Sequence, residues 1–220
     1  MRIPLEPRPA GPADKKHRYF VHSSALCESA QLGTGTRIWA FAHVMAGAIV
    51  GKDCNIGDHA FIESGATLGN RVTVKNHVLL WDGISVADDV FLGPAVVFTN
   101  DRHPRSPRME GVAEVARRYS KKDRWLLPTR VKKGASIGAG SIILPGLVIG
   151  AYAMVGAGTL VTQDVPDHGL VLGAPGRLAG WVCRCGRKLT AQEGNRHRCR
   201  RCGSAYRASG RGLIGASPHV

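Results

Sequence analysis

Residues 32–98 read LGTGTR IWAFAH VMAGAI VGKDCN IGDHAF IESGAT LGNRVT VKNHVL LWDGIS VADDVF LGPAVV F. Divided this way, Leu, Ile or Val opens every block from Leu32 to Leu92, and Phe98 opens the next. Four places after each opening residue stands a small or β-branched one, from Thr36 and Ala42 through Cys54, Ala60 and Ala66 to Val90 and Val96. A period of six matches neither the 3.6 of a helix nor the alternation of a long strand. It describes a solenoid of very short strands joined by tight turns, with two inward slots repeating in phase.

Outward from this stretch the frame can be followed in both directions. Upstream, Phe20 and Leu26 fall in the aliphatic slot and make an imperfect capping coil. Downstream, the series stops at Thr99 and resumes with Val131, Ile137, Ile143, Ile149, Val155 and Val161, whose partner slots hold Ala135, Ser141, Leu147, Ala153, Thr159 and Val165. The interruption, residues 99–130, is a long excursion from a compact repeat, and such excursions usually carry function. Asp164-Val165-Pro166 and Gly173-Ala174-Pro175-Gly176-Arg177 are expected to end the solenoid, because Pro and Gly oppose further strand addition. The expected organisation is a disordered segment 1–18 containing Pro4, Pro7, Pro9 and Pro12, a solenoid domain 19–181, a cysteine module 182–208 and a flexible Gly/Ser-rich tail 209–220.

The net charge is +14, from 30 Lys plus Arg against 16 Asp plus Glu. Such a balance invites a polyanionic partner. The repeat itself holds few basic residues; most lie in 102–133 and 177–211, so two basic segments flank a nearly neutral scaffold. No apolar run approaches the roughly 18 residues that span a bilayer, and the N-terminus has no apolar core. A cytoplasmic protein without membrane insertion is the expectation.

Of six Cys, Cys54 falls in the small inward slot and Cys27 beside an aliphatic one, which marks both as core thiols. Cys183, Cys185, Cys199 and Cys202 form a separate cluster. In a cytosolic chain this pattern favours metal over disulfide. Cys183-x-Cys185-Gly and Cys199-x-x-Cys202-Gly look like a zinc ribbon whose first knuckle is one residue short, with His197 as a possible substitute for Cys183. Four thiolates would satisfy a closed tetrahedral Zn²⁺ site in a segment too small to fold on hydrophobic burial alone. Its arginines, including Arg184, Arg187, Arg198, Arg200 and Arg201, would also suit phosphates, but stacking aromatics are almost lacking. Nucleic acid is therefore set aside as a partner in favour of capping a trimer end or helping to hold an anionic substrate.

The hexads resemble the left-handed parallel β-helix acyltransferases, in which three hexads make one triangular coil of about 18 residues rising ~4.8 Å. The fold class expected is thus all-β. The left-handed winding is implied by the resemblance and not by the spacing. The run Phe98-Thr99-Asn100-Asp101-Arg102-His103-Pro104-Arg105 narrows the resemblance to the N-acetyltransferases that act on the 3-amino group of a nucleotide-linked sugar. Arg37 to His43, Asp88 to Pro94, Lys133 to Ala139, and Val155-Gly156-Ala157-Gly158 leading to Asp164-Val165-Pro166 agree with it. Two departures are Pro175-Gly176-Arg177 in place of Pro-Ala-Arg, and His103 where an aromatic is usual.

The resemblance implies a homotrimer with ligand clefts between subunits, acetyl-CoA as donor and a UDP- or dTDP-linked amino sugar as acceptor. Asn100 would orient the amine; its amide cannot act as a base. His103 offers a second, general-base route, since histidine titrates near neutral pH. Asp101 would hold Arg102 or Arg105 against the substrate pyrophosphate. Backbone near Ala139 and Ala157, with Trp125 and Arg177, would receive coenzyme A. His59 and His77 share one hexad slot 18 residues apart and are expected to stack on adjacent coils, as surface or substrate-pocket histidines. The rival readings are acetylation of a hydroxyl or of a non-sugar amine, and a non-catalytic nucleic-acid-binding scaffold.

Overall fold

A computed structural model describes residues 19–210 and 212–216. The segment 1–18, expected to be disordered, and residues 217–220 of the tail lie outside the described residues. Two-residue strands dominate, and each has an outward residue followed by an inward one, as in Arg37–Ile38 and His43–Val44. The strands assemble into three sheets of nine, seven and five, which form the three faces of a solenoid. We number the faces in chain order. The first carries Arg37–Ile38, the second His43–Val44 and the third Ile49–Val50. Pairing within each face is parallel at 18-residue spacing: Ile38 opposes Ile56, Val44 opposes Ile62, and Val50 opposes Leu68. One coil is therefore three hexads.

Both inward slots are filled as their residue types dictate. Ile38, Val44, Ile56, Ile62, Leu80, Leu92, Ile137 and Ile143 are fully buried, and so are the partner-slot residues Thr36, Ala42, Ala48, Ala66, Val78 and Ala135. Two of the three polar members of the small slot are satisfied: Thr36 Oγ1 donates to the Gly51 carbonyl at 2.7 Å, and Ser141 Oγ reaches the Gly138 and Gly156 carbonyls at 2.8 and 2.9 Å, whereas the buried Thr159 Oγ1 has no partner among the described residues. Cys54 is buried as expected, and burial pushes its thiol up; Cys27 is half-buried.

At the corners the chain turns through left-handed backbone. The first corner, between the first and second faces, places Phe41, His59, His77 and Ala95 at φ of 59°, 57°, 61° and 55°, then Gly140 and Gly158. The second corner, between the third face and the next coil, carries Asp53, Arg71, Asp89 and Tyr152 in the same conformation. Arg71 forks onto Asp89 there, at 2.6 and 3.1 Å. The third corner, between the second and third faces, uses Gly47, Gly65, Gly83 and Gly146.

Across the excursion the pairing continues as though nothing intervened. Val86 pairs with Val131 and Leu92 with Ile137, so a spacing of 45 replaces 18 while the register holds. The excursion contains the helix α1 (Ala113–Tyr119) and a 3-10 turn, Lys122–Arg124.

Three expectations need correction. Upstream, the inward slot is held by Val21 and Cys27, opposite Ile38 and Val44, whereas Phe20 and Leu26 take the outward positions opposite Arg37 and His43, one residue out of the expected frame. The solenoid does not end at Pro166: Gly169–Leu172 adds another parallel strand beside Met154–Val155, and Arg177–Trp181 folds back antiparallel on it. Pro166 sits before this strand, where it removes no ladder hydrogen bond. Nor is the chain past Ala208 loose, since Gly212–Ala216 pairs with Ala205–Ser209 as the last hairpin of a four-stranded antiparallel sheet. Among the described residues, no helix is long and apolar enough to cross a membrane.

Candidate active site

Asn100 leaves the solenoid at the third corner, two residues after the buried Phe98, and stands one coil above Asp82. Its Nδ2 donates to the Asp82 carbonyl at 3.2 Å, and its own carbonyl accepts from the Leu127 N–H at 2.8 Å. Asp101 bridges antiparallel to Leu126, so the excursion leaves and returns as a closed hairpin. Asp82 is itself anchored. Its N–H donates to Glu63 Oε2 at 2.8 Å, and its carboxylate takes the Lys122 ammonium from the excursion. Gly83 must be glycine here, because φ is +81° and an added Cβ would lie 2.6 Å from Leu126 Cδ2. With one N–H of the Asn100 amide engaged, its Oδ1 accepts from no described residue and stays available as an acceptor.

Beyond Asn100 the chain is tied to α1. Asp101 Oδ1 accepts from the His103 N–H at 2.8 Å, and Asp101 Oδ2 accepts from the Tyr119 hydroxyl. The same hydroxyl oxygen accepts from the Arg105 N–H at 3.0 Å, while Arg118 donates to the His103 carbonyl. Trp125 packs its ring on Tyr119, centroids 5.8 Å apart. Asn100, Asp101, His103 and Arg105 are thus held together, with His103 and Arg105 exposed and Arg102 reaching toward Gly146. Asp82, Lys122, Arg118 and Tyr119 were not singled out by the sequence reading. Asp82 had a usable signal, lying 18 residues before Asn100; Arg118 and Tyr119 had none, since α1 lies outside any six-residue frame.

The other expected site residues lie elsewhere. His59 and His77 stack on the first corner with ring centroids 5.0 Å apart, and Ala139 and Ala157 continue the same corner upward, both exposed. Within one chain the second face separates this group from Asn100. Trp125 belongs to the third corner, and Arg177 is exposed on the antiparallel return strand.

Residues 29–64 match the family model described as bacterial transferase hexapeptide (six repeats), and residues 128–163 match the hexapeptide repeat of succinyl-transferase. The chain is 48% identical over 191 residues, 86% of its length, to dTDP-3-amino-3,6-dideoxy-alpha-D-galactopyranose 3-N-acetyltransferase of Aneurinibacillus thermoaerophilus, and covers 90% of that protein. The chain belongs to the hexapeptide-repeat acyltransferases, in their nucleotide-sugar 3-amino N-acetyltransferase branch. Galactoside O-acetyltransferase of Lactococcus lactis is 36% identical over 42% of this chain and 40% of its own. Among solved structures, a point mutant of perosamine N-acetyltransferase from Caulobacter crescentus, in complex with CoA and GDP-perosamine, overlays with a TM-score of 0.39 at 26% identity, covering 74% of this chain and 56% of that one.

This acyltransferase carries its cysteine module at the second corner. His168, buried between the Tyr152 ring (5.3 Å, stacked) and Tyr206 (4.8 Å, edge-on), joins solenoid to module by donating its Nδ1–H to the Val182 carbonyl at 2.9 Å. The sulfurs of Cys183, Cys185, Cys199 and Cys202 all lie within 4.8 Å of one another, with Cys183–Cys202 at 3.4 Å and Cys185–Cys199 at 3.6 Å. Tetrahedral zinc with Zn–S near 2.3 Å needs sulfurs about 3.8 Å apart, so the donor set fits. The surroundings divide the thiols: against the Arg187 backbone N–H, which lowers it, desolvation and the three neighbouring sulfurs push Cys185 up to about 12. Burial pushes the Tyr206 phenol up to about 12, its oxygen accepts from the Arg184 N–H, and its proton is left for Cys183 Sγ at 3.1 Å. Hydrogen bonds from the Ser204 hydroxyl and N–H pull Cys202 down to about 6. His197 is not needed as a substitute ligand; its ring meets Trp181 at 6.1 Å.

Proposed function

We propose that this acyltransferase moves the acetyl group of acetyl-CoA to the 3-amino group of a UDP- or dTDP-linked amino sugar, as a homotrimer with left-handed coils. The observation that carries the reading is Asn100, held by its Nδ2 on the Asp82 carbonyl with its Oδ1 unpaired among the described residues, in a chain 48% identical to a dTDP-3-amino-sugar N-acetyltransferase. A carbonyl oxygen in that position accepts an N–H of the neutral amine and turns its lone pair toward the thioester carbon. The N–C bond forms as the C–S bond breaks, and the proton lost by the amine passes through water or the substrate to the departing thiolate. His103 is a bystander in this scheme. Asp101 holds the loop that presents Arg102 and Arg105 to the pyrophosphate, and the exposed first-corner residues Ala139 and Ala157 receive the pantetheine arm.

The four cysteines would hold a structural Zn²⁺, which would supply the folding energy the small module lacks. Elemental analysis of the purified chain tests this: one zinc per subunit, lost with Cys199→Ser.

Thiol release from acetyl-CoA with a panel of UDP- and dTDP-3-amino sugars, and with the matching 3-hydroxy sugars, tests the reaction. Turnover on an amine, lost with Asn100→Ala and kept with His103→Ala, is expected. Turnover only on hydroxy sugars, or on neither set, rejects the substrate class; loss with His103→Ala restores the general-base route.

A further inference from the structure

The first corner carries a column of rings. Phe41 stacks on His59 and His59 on His77, each pair with centroids 5.0 Å apart and planes tilted by 16°. That spacing follows from the fold, because successive coils rise by the strand separation of about 4.8 Å and equivalent turn residues sit one above another. All three rings are exposed, Phe41 by 60%. All three also occupy left-handed backbone, where a bulky side chain is unfavourable and glycine would relieve the strain. Higher on the same corner the chain does use small residues: Ala95, then Gly140 and Gly158, where an added Cβ would meet nothing within 4 Å.

The column therefore stops at His77. No ring of a described residue covers the upper face of its imidazole, and the coil above supplies only the Ala95 methyl at that place. Higher on the same corner follow the exposed Ala139 and Ala157.

We infer that the column is a stacking platform for the planar base of the nucleotide, and that the base lies on the upper face of His77 in the place Ala95 leaves open. The inference rests on the nucleotide-sugar reading and adds the subsite that reading lacks. A base stacked on an aromatic ring gains free energy without regard to base identity, so the platform suits thymine or uracil alike.

Titration calorimetry of the full-length protein with dTDP, UDP and inorganic pyrophosphate tests it. His77→Asn removes the ring with a residue that tolerates left-handed backbone, and about a tenfold weaker dTDP affinity is expected. His77→Phe keeps a ring and should bind dTDP within about threefold of the parent. Ala95→Phe should fill the slot and weaken dTDP as His77→Asn does. Pyrophosphate affinity should not change in any variant. Unchanged dTDP affinity in both His77→Asn and Ala95→Phe overturns the platform, as does an equal loss for pyrophosphate. If the parent turns over amino-sugar nucleotides while these variants bind dTDP normally, the platform alone fails. If the parent binds neither nucleotide and acetylates no amino sugar, the reading beneath it fails as well.

Discussion

His168 shows how one side chain can set the pH range of a joint. It is 5% exposed, and burial holds its imidazole below the ordinary histidine value while the Val182 carbonyl and two tyrosine rings fix the ring. The unfolded chain, titrating near pH 6.5, binds a proton that the folded chain resists. Its contribution to stability is thus complete above about pH 6.5 and is lost as the pH falls toward the depressed folded value. His168→Asn, which suits the φ of 63° at this position, should be less stable at pH 7.5 but should lose less further stability on acidification. Thermal melts of both proteins at pH 7.5 and 5.5 measure this; parallel losses would remove His168 from the acid response. The sequence reading did not single out His168, which falls between the two runs expected to end the solenoid. Its partners come from the previous coil and from the module, separations that no local pattern encodes.

At the level of elements, the six-residue period made the strands and corners legible, because each hexad repeats the same outward, inward and turn positions. It also located the excursion, as a break between Phe98 and Val131. Within the break the run from Asn100 to Arg105 stood out, but α1 did not. The grip of α1 on the Asn100 segment depends on Tyr119, whose one oxygen donates to Asp101 and accepts from the Arg105 N–H. Tyr119→Phe keeps the ring against Trp125 and removes both of these bonds together with the 3.3 Å one from Arg118 Nη2. The segment is exposed, so stability should fall by only about 1 kcal/mol. The kcat for amino-sugar acetylation should fall about tenfold, because misorienting the acceptor amine costs the near-attack geometry. The KM for acetyl-CoA should not change, as Tyr119→Phe leaves Ala139, Ala157 and the ring contact with Trp125 in place. Steady-state kinetics with each substrate varied would show it; a rise in the acetyl-CoA KM with kcat intact would contradict this placement of α1.

For the whole molecule, the separation of the site residues argues for assembly. The outward positions of the second face are occupied by Leu26, His43, Phe61, Leu79, Val97, Ile142 and Leu160, all apolar but for His43, with Leu26, Val97 and Ile142 at least 37% exposed. The same row on the first face is interrupted by Arg37, Asn55, Thr73 and Ser136. An apolar face running the length of a solenoid is covered most economically by another copy, and closed ring symmetry makes the contact heterologous. Three copies packed along the second face would set the third corner of one against the first corner of the next, bringing Asn100 of one subunit to His77, Ala139 and Ala157 of its neighbour. On that geometry, Ile142→Glu should yield monomers in light scattering and abolish transfer, although it touches no ligand. Asn100→Ala and Ala139→Trp, the second filling the coenzyme track, should each be inactive alone. Co-expressed, they should recover about one quarter of the parent's activity, since random mixing joins an intact third corner to an intact first corner at one site in four. No recovery from co-expressed chains that do form mixed trimers would place the whole site within a single subunit.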